Sequence, residues 1–161
     1  MQQLNFPACD FRFKSSENKT AVFDRIRKKF IILTPEEWVR QHVVNYLIDH
    51  KKYPLSLINV EKALSVNGLL RRYDIVIYNS DGSIRLLVEC KAPEVKITQQ
   101  VFDQIARYNL SLDARLLMVT NGLHHFYCTL DYVGENYNFL RDLPDYNEEI
   151  PGAVEPIPGR S

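Results

Sequence analysis

Apolar and polar positions alternate with two distinct periods along this chain, and the switches between them outline its elements. Residues 34–50 follow a helical period, with Val39, Val43, Tyr46 and Leu47 on one stripe. Thr34 is a suitable N-cap, Pro35 fits the first helical position, and Glu37 falls where a capping box needs it. Leu33 and Trp38 are spaced for a hydrophobic staple. Strand-like runs then follow at 55–66, 70–79 and 83–91, with Asp81-Gly82 as a hairpin turn between the last two. A second helix is predicted after Thr98, with Val101, Ile105, Tyr108 and Leu112 as its buried stripe. Strands at 114–122 and 123–130 close the pattern, with a short edge strand at 137–142. Ahead of the first helix, residues 20–33 read as a short strand or hairpin around a basic cluster.

This order predicts an α+β (mixed α/β) fold: a central mixed sheet with helices packed on it. Residues 1–19 are expected to form an irregular arm, 20–143 the folded domain, and 144–161 a proline-rich mobile tail. The chain has 161 residues, enough for a single sizeable core. Twenty basic residues balance twenty acidic ones, so any nucleic-acid contact must come from a local patch. Cys9, Cys90 and Cys128 are too few and too widely spaced for a disulfide framework or a zinc site. The absence of a long apolar run and of a signal-like start predicts a cytoplasmic protein with no membrane partner.

Residues 71–93, RRYDIVIYNSDGSIRLLVECKAP, hold the most informative chemistry. A two-residue turn at Asp81-Gly82 sets Asp74 opposite Glu89, with β-carbons ~4.5–5.5 Å apart. Period-two alternation puts Lys91 on the face of Glu89, opposite Arg72, and turns Cys90 to the apolar side. Two facing acids repel unless a counter-charge joins them, and a divalent cation is one such charge. Such a cation polarises a phosphodiester and acidifies bound water, while a nearby lysine can act on that water or on developing phosphate charge. The competing reading is a solvated face on which Lys91 merely neutralises Glu89. Against it, Leu86, Leu87 and Val88 bring these charges to the end of a buried strand.

Asp74 followed by VECK, with Glu89 and Lys91 on the next strand, resembles the PD-(D/E)XK nuclease superfamily. QIARY, carrying Gln104 and Tyr108 at i,i+4 spacing, strengthens that likeness. With TPEEWVRQ and RRYDIVIY, it resembles the N-terminal nuclease domain of type I restriction enzyme R subunits, over roughly residues 20–130. Tyr73 replaces the motif's proline.

The resemblance implies an αβββαβ restriction-endonuclease-like core and a metal-dependent endonuclease acting on DNA. Asp74, Glu89 and Lys91 would be catalytic. Asp74, Glu89 and the Cys90 carbonyl would hold Mg²⁺, for which Mn²⁺ would substitute. A glutamate on the first helix often joins such sites; Glu37 is the candidate, ahead of Glu36, although the capping box alone also explains it. Gln104, Tyr108 and Arg72 would support the site or touch DNA. No phosphate loop of the motor that R subunits carry is present, so the expectation is a nuclease module standing alone, with a partner protein or a homodimer for targeting. The alternative is a catalytically silent nuclease-like module that binds nucleic acid or a partner. His124 and His125 point to opposite faces of one strand and read as structural; Arg25, Arg27, Lys28 and Lys29 read as a solvated basic turn.

Overall fold

The computed structural model describes residues 1–151. It contains a three-stranded sheet of β1 (Phe13–Ser16), β2 (Lys19–Asp24) and β3 (Lys29–Ile32), then helix α1 (Pro35–Asp49). Next come β4 (Ile58–Val66), β5 (Leu69–Tyr78) and β6 (Ile84–Cys90), helix α2 (Gln99–Asn109), and β7 (Leu116–Thr120), β8 (His125–Asp131) and β9 (Asn136–Leu140). The second sheet runs β4-β5-β6-β7-β8-β9. Only the β6–β7 pair within it is parallel, because α2 carries the chain across between them. The fold is α+β, as the pattern predicts.

Alternation sorts the central strands between two apolar layers. Leu86, Val88 and Cys90 of β6, with Leu116 and Met118 of β7, meet Val39, Val43 and Leu47 of α1. Leu87, Leu117 and Val119 turn the other way, onto Phe102 and Ala106 of α2. A sheet buried on both faces explains the near-continuous apolar runs in β6 and β7. The α2 stripe is rotated from the expected one: Phe102, Ala106 and Asn109 are its buried positions, whereas Val101, Ile105 and Tyr108 flank them.

Both chain ends correct the sequence reading. Leu4 is buried in the α1-side core. The Trp38 indole donates to the Gln2 carbonyl at 2.8 Å, and Phe6 and Phe11 stack on His125 and His42. Gly122 has a positive φ of +87°, and a β-carbon there would meet Leu4 at 2.9 Å, so both the backbone and the packing of Leu4 call for glycine. Residues 1–12 are thus irregular, as expected, but anchored through Leu4, Phe6 and Phe11, and residues 13–16 form the exposed strand β1.

Residues 144–150 are docked too. Pro144 is buried, Tyr146 meets Tyr53, and Arg85 donates to the Asp145 and Glu148 carbonyls at 3.2 Å each. A few apolar anchors and one arginine suffice where no periodicity is visible. Residues 152–161 of the expected tail lie outside the described residues.

The β5–β6 register agrees with the expected one for a different reason. Ile75 faces Val88 and Ile77 faces Leu86, where the ladder ends; continued by one residue, the same register sets Asp74 opposite Glu89. The turn is longer than two residues, since Asn79 N–H donates to the Ser83 carbonyl and Tyr78 faces Ile84. A bulge after Ile77 takes up Arg85 as the extra residue and restores the register.

Candidate functional site

The ends of β5 and β6 and the first turn of α1 meet at one corner of the sheet. Asp74 is half-buried there, and both of its oxygens are engaged. Oδ1 accepts from Arg40 Nη2 and Oδ2 from the Cys90 backbone N–H, each at 2.8 Å. These two bonds fix the carboxylate beside the β6 strand end. Glu89 has the opposite electrostatic setting. Burial, then repulsion from Asp74, pushes its pKa up to about 7, although the Lys91 charge pulls against this. Burial and then Glu89 likewise push the Tyr73 phenol up to about 12.

Lys91 is half-buried, and its backbone N–H donates to the Thr120 carbonyl at 2.8 Å. That bond continues the β6–β7 pairing one residue past the strand and fixes where the lysine emerges. Among the described residues its ammonium forms no ion pair within 4.0 Å. A direct Lys91–Glu89 pair, which the solvated-face reading requires, is therefore not made. The Cys90 thiol is buried on the apolar side, as alternation predicts.

Glu37 is elsewhere engaged. Thr34 Oγ1 accepts from Glu37 N–H at 3.0 Å, which supplies half of the expected capping box. The Glu37 carboxylate does not reach back to complete it. It accepts from Arg27 at 2.7 Å, Arg40 at 2.8 Å and Gln41 at 3.3 Å. Asp24, 1% exposed, accepts from Arg27 and Gln41 on the far side. Burial acts to raise the Asp24 pKa, but the Arg27 backbone N–H, Gln41 and the Arg27 guanidinium outweigh it and hold it low. The chain of charges runs Asp24–Arg27–Glu37–Arg40–Asp74. Arg27 is thus part of an internal network, not of a solvated turn, and Arg25 pairs with Asp49 at 3.2 Å.

The helix-borne acid near the corner is Glu36 instead. Burial, then the Asp74 charge, raises its pKa, and Lys91 lowers it. Helical geometry explains the exchange, since adjacent residues point about 100° apart and only one of the two can face the β5 end. Sequence reasoning also missed Arg40, the direct partner of Asp74. Its spacing three residues after Glu37 was the available signal.

The QxxxY element is split. Gln104 is exposed and hydrogen-bonds nothing among the described residues. Tyr108 lies beneath Arg71, whose guanidinium is 3.4 Å from the ring centroid, and its buried hydroxyl has no partner. Arg72 is exposed on the solvent side of β5. His125 is tied to Thr120 at 2.7 Å and Asn5 at 2.6 Å, a structural role.

Asp74 and Glu89 offer hard carboxylate oxygens, the donor set that Mg²⁺ prefers. Among the described residues no group of three His, Cys, Asp or Glu side chains is placed to hold a metal ion. Two carboxylates nevertheless suit Mg²⁺, which keeps several waters and takes substrate phosphate oxygens. Asp74 has acceptor capacity left, because a carboxylate offers about four lone-pair sites and two are taken. The residues present fit such an ion.

Compared with known protein families, residues 35–144 match the type I restriction enzyme R protein N terminus (HSDR_N). The chain belongs to this family. The matched span is well over half of the sequence and includes Glu36, Arg40, Asp74, Glu89, Lys91, Gln104 and Tyr108. The β1–β3 sheet precedes it, so Asp24 and Arg27 brace a family residue, Glu37, from outside the match. Comparison with curated proteins gives no match. Among the described residues no helix is long and apolar enough to cross a membrane.

Proposed function

We propose that this HSDR_N-family chain is a metal-dependent deoxyribonuclease module, hydrolysing phosphodiester bonds at the Asp74–Glu89–Lys91 corner. The observation that carries this reading is the charge imbalance there. Glu36, Asp74 and Glu89 gather where β5, β6 and α1 meet, yet among the described residues Lys91 forms no ion pair, and the one guanidinium of Arg40 is shared by Asp74, Glu37, Glu36 and Glu61. Elsewhere in the molecule, buried acids are closely paired. A site left short of positive charge is one that a cation and a phosphodiester can complete.

Asp74 and Glu89 would hold the ion, with the Cys90 carbonyl as a further oxygen donor. A bound Mg²⁺ or Mn²⁺ would supply Lewis acidity and a more acidic water. Arg40 and the Cys90 N–H hold Asp74 in one orientation, so its free lone pairs point at a fixed place. Lys91 would face the attacked phosphate and offset charge as it builds on the phosphate oxygens. Glu36 would contribute field at the same corner, and Tyr108 would keep Arg71 in place above α2.

The test is a cleavage assay on plasmid and single-stranded DNA with Mg²⁺ or Mn²⁺, paired with calorimetric titration of the metal. Wild type should cut, and Asp74→Ala and Glu89→Ala should neither cut nor bind Mn²⁺. Unchanged Mn²⁺ affinity in both variants would remove the site assignment. Binding of DNA without cleavage in either metal would favour the silent-module reading. That second reading draws on the neutral overall charge, which lets a partner or a second copy supply targeting.

A further inference from the structure

The β4–β5 hairpin extends beyond the sheet that carries the acids. β6 pairs with β5 from Ile75 to Tyr78, whereas β4 follows β5 out to Leu69. Residues 62–73 therefore form a two-stranded ribbon overhanging the corner. Its turn is a tight two-residue one: Asn67 and Gly68 both have positive φ, 50° and 79°, and Val66 faces Leu69 directly. Its back is anchored, with Val66 and Tyr73 buried in the α2-side core and Arg71 stacked on Tyr108.

Its front is open and of unusual composition. Leu70 is 77% exposed and Arg72 is exposed on the side opposite Val66, Arg71 and Tyr73, whereas Leu69, paired with Val66, and Lys62, paired with Tyr73, are exposed on the other side of the ribbon. Among the described residues neither Arg72 nor Lys62 forms an ion pair. Residues 62–72 hold three basic side chains and no acid in a chain that is neutral overall. Alternation puts Leu70, Arg72 and Asp74 in line along one side of β5, with steps of about 7 Å.

We infer that this ribbon is the surface on which the DNA strand flanking the scissile phosphate lies. Arg72 takes the phosphate next to the one held at Asp74. Leu70 packs on the sugar and base edge beyond it. An exposed leucine in line with an arginine that forms no ion pair among the described residues suits a polyanion with apolar faces, and that line ends at the acids. This inference rests on the nuclease reading for its choice of partner, but it concerns binding and not the chemical step.

The experiment is fluorescence-anisotropy binding of a labelled duplex and a labelled single strand, with Ca²⁺ in place of Mg²⁺, over a series of salt concentrations. Arg72→Gln should weaken binding on the order of fivefold and reduce the salt slope by about 1, the signature of one lost phosphate contact. Leu70→Ser should weaken binding about twofold or more with the slope unchanged, since it removes no charge. Val133→Ser, 84% exposed at the β8–β9 turn, should bind as wild type does. A preference for duplex or for single strand tells which form the ribbon fits. Wild-type affinity in both ribbon variants overturns the inference. So does a wild-type dimer that the leucine variant converts to monomer without loss of DNA affinity, because the ribbon then serves a second copy. Binding lost in the ribbon variants of a protein that never cuts in Mg²⁺ leaves the inference standing and removes the nuclease reading instead.

Discussion

Two acidic regions meet at Arg40, and they are built on opposite rules. On one side Asp24 and Glu37 are buried, and every close neighbour is a donor: Arg27, Arg40 and Gln41. On the other, Glu89 is half-buried against a second acid and, among the described residues, forms no ion pair. The Asp24 pKa is held down and the Glu89 pKa pushed up. An acid whose partners come from the protein serves the fold; one without a direct partner is, on the proposed reading, the one that a cation would complete. Arg40 joins the two, since the same guanidinium holds Glu37 at 2.8 Å and Asp74 at 2.8 Å.

The contrast is broken most sharply at Lys91. On the proposed chemistry, Lys91→Ala should lower cleavage by on the order of 10²–10⁴ under saturating Mg²⁺, with metal affinity nearly intact. Lys91→Arg should not restore it, because a planar guanidinium does not reproduce a compact ammonium. Near-wild-type cleavage by the alanine variant would place Lys91 with the solvated charges and make both regions structural.

The network side should respond in stability. Glu37→Ala strips Arg27 and Arg40 of a shared partner in the interior, and breaking a buried pair in this way costs about 3–5 kcal/mol. Glu37→Gln should cost less, since it keeps the shape and one acceptor. Chemical denaturation measures both. A loss below about 1 kcal/mol for Glu37→Ala would mean that water replaces the carboxylate, and that the network is no more closed than the acid corner.

How much of this contrast the sequence made legible depends on the range of the interactions. Local rules found α1, its Thr34 cap and the order of the strands, because caps and periods involve residues a few positions apart. The Asp74–Glu89 register was reached through a turn that the structure does not contain; a longer turn and the Arg85 bulge cancel. What stayed hidden was long-range pairing. Nothing within reach of Glu37 in the sequence shows that Arg27 will occupy its carboxylate, so Glu37 read as a candidate ligand and Glu36 as the weaker one. Likewise, no periodicity marks Leu4, Phe6, Tyr146 or Ile150 as anchors, because each is an isolated apolar residue in an irregular segment and not part of a stripe.

The docked C-terminal stretch gives a prediction of intermediate size. Ending the chain after Leu143 exposes the surface under Pro144 and Tyr146 and deprives buried Arg85 of two carbonyl acceptors. A loss of about 2–4 kcal/mol is expected from the exposed apolar surface and the unpaired guanidinium. Thermal denaturation of the shortened chain checks this. A stability equal to that of the full chain would return residues 144–150 to the status of a tail.

The smallest expected effect is a difference in sign. Asp24 has a lowered pKa in the folded state, so its contribution is present above the unfolded carboxylate pKa of about 4 and is lost as the pH falls through the folded value. Glu89 does the reverse. Its folded pKa of about 7 exceeds the unfolded value of about 4.3, so the folded protein binds the extra proton between them. Stability from Glu89 is therefore full below pH ~4 and is lost as the pH rises through 7. Metal-free wild type should become less stable between pH 5 and 8 by more than about 1 kcal/mol, at roughly 1.4 kcal/mol per pKa unit less what solvent screening removes. Glu89→Gln should flatten that slope, because the amide carries no charge at either pH, whereas Asp24→Asn should leave it in place and destabilise the protein at both. Saturating Mn²⁺ should flatten it in wild type as well, since a bound cation keeps Glu89 ionised throughout. Denaturation midpoints at the two pH values, with and without Mn²⁺, read all of these. If Asp24→Asn and Glu89→Gln shift the slope alike, the two acids share one kind of environment, and the distinction between a closed network and an open corner does not hold.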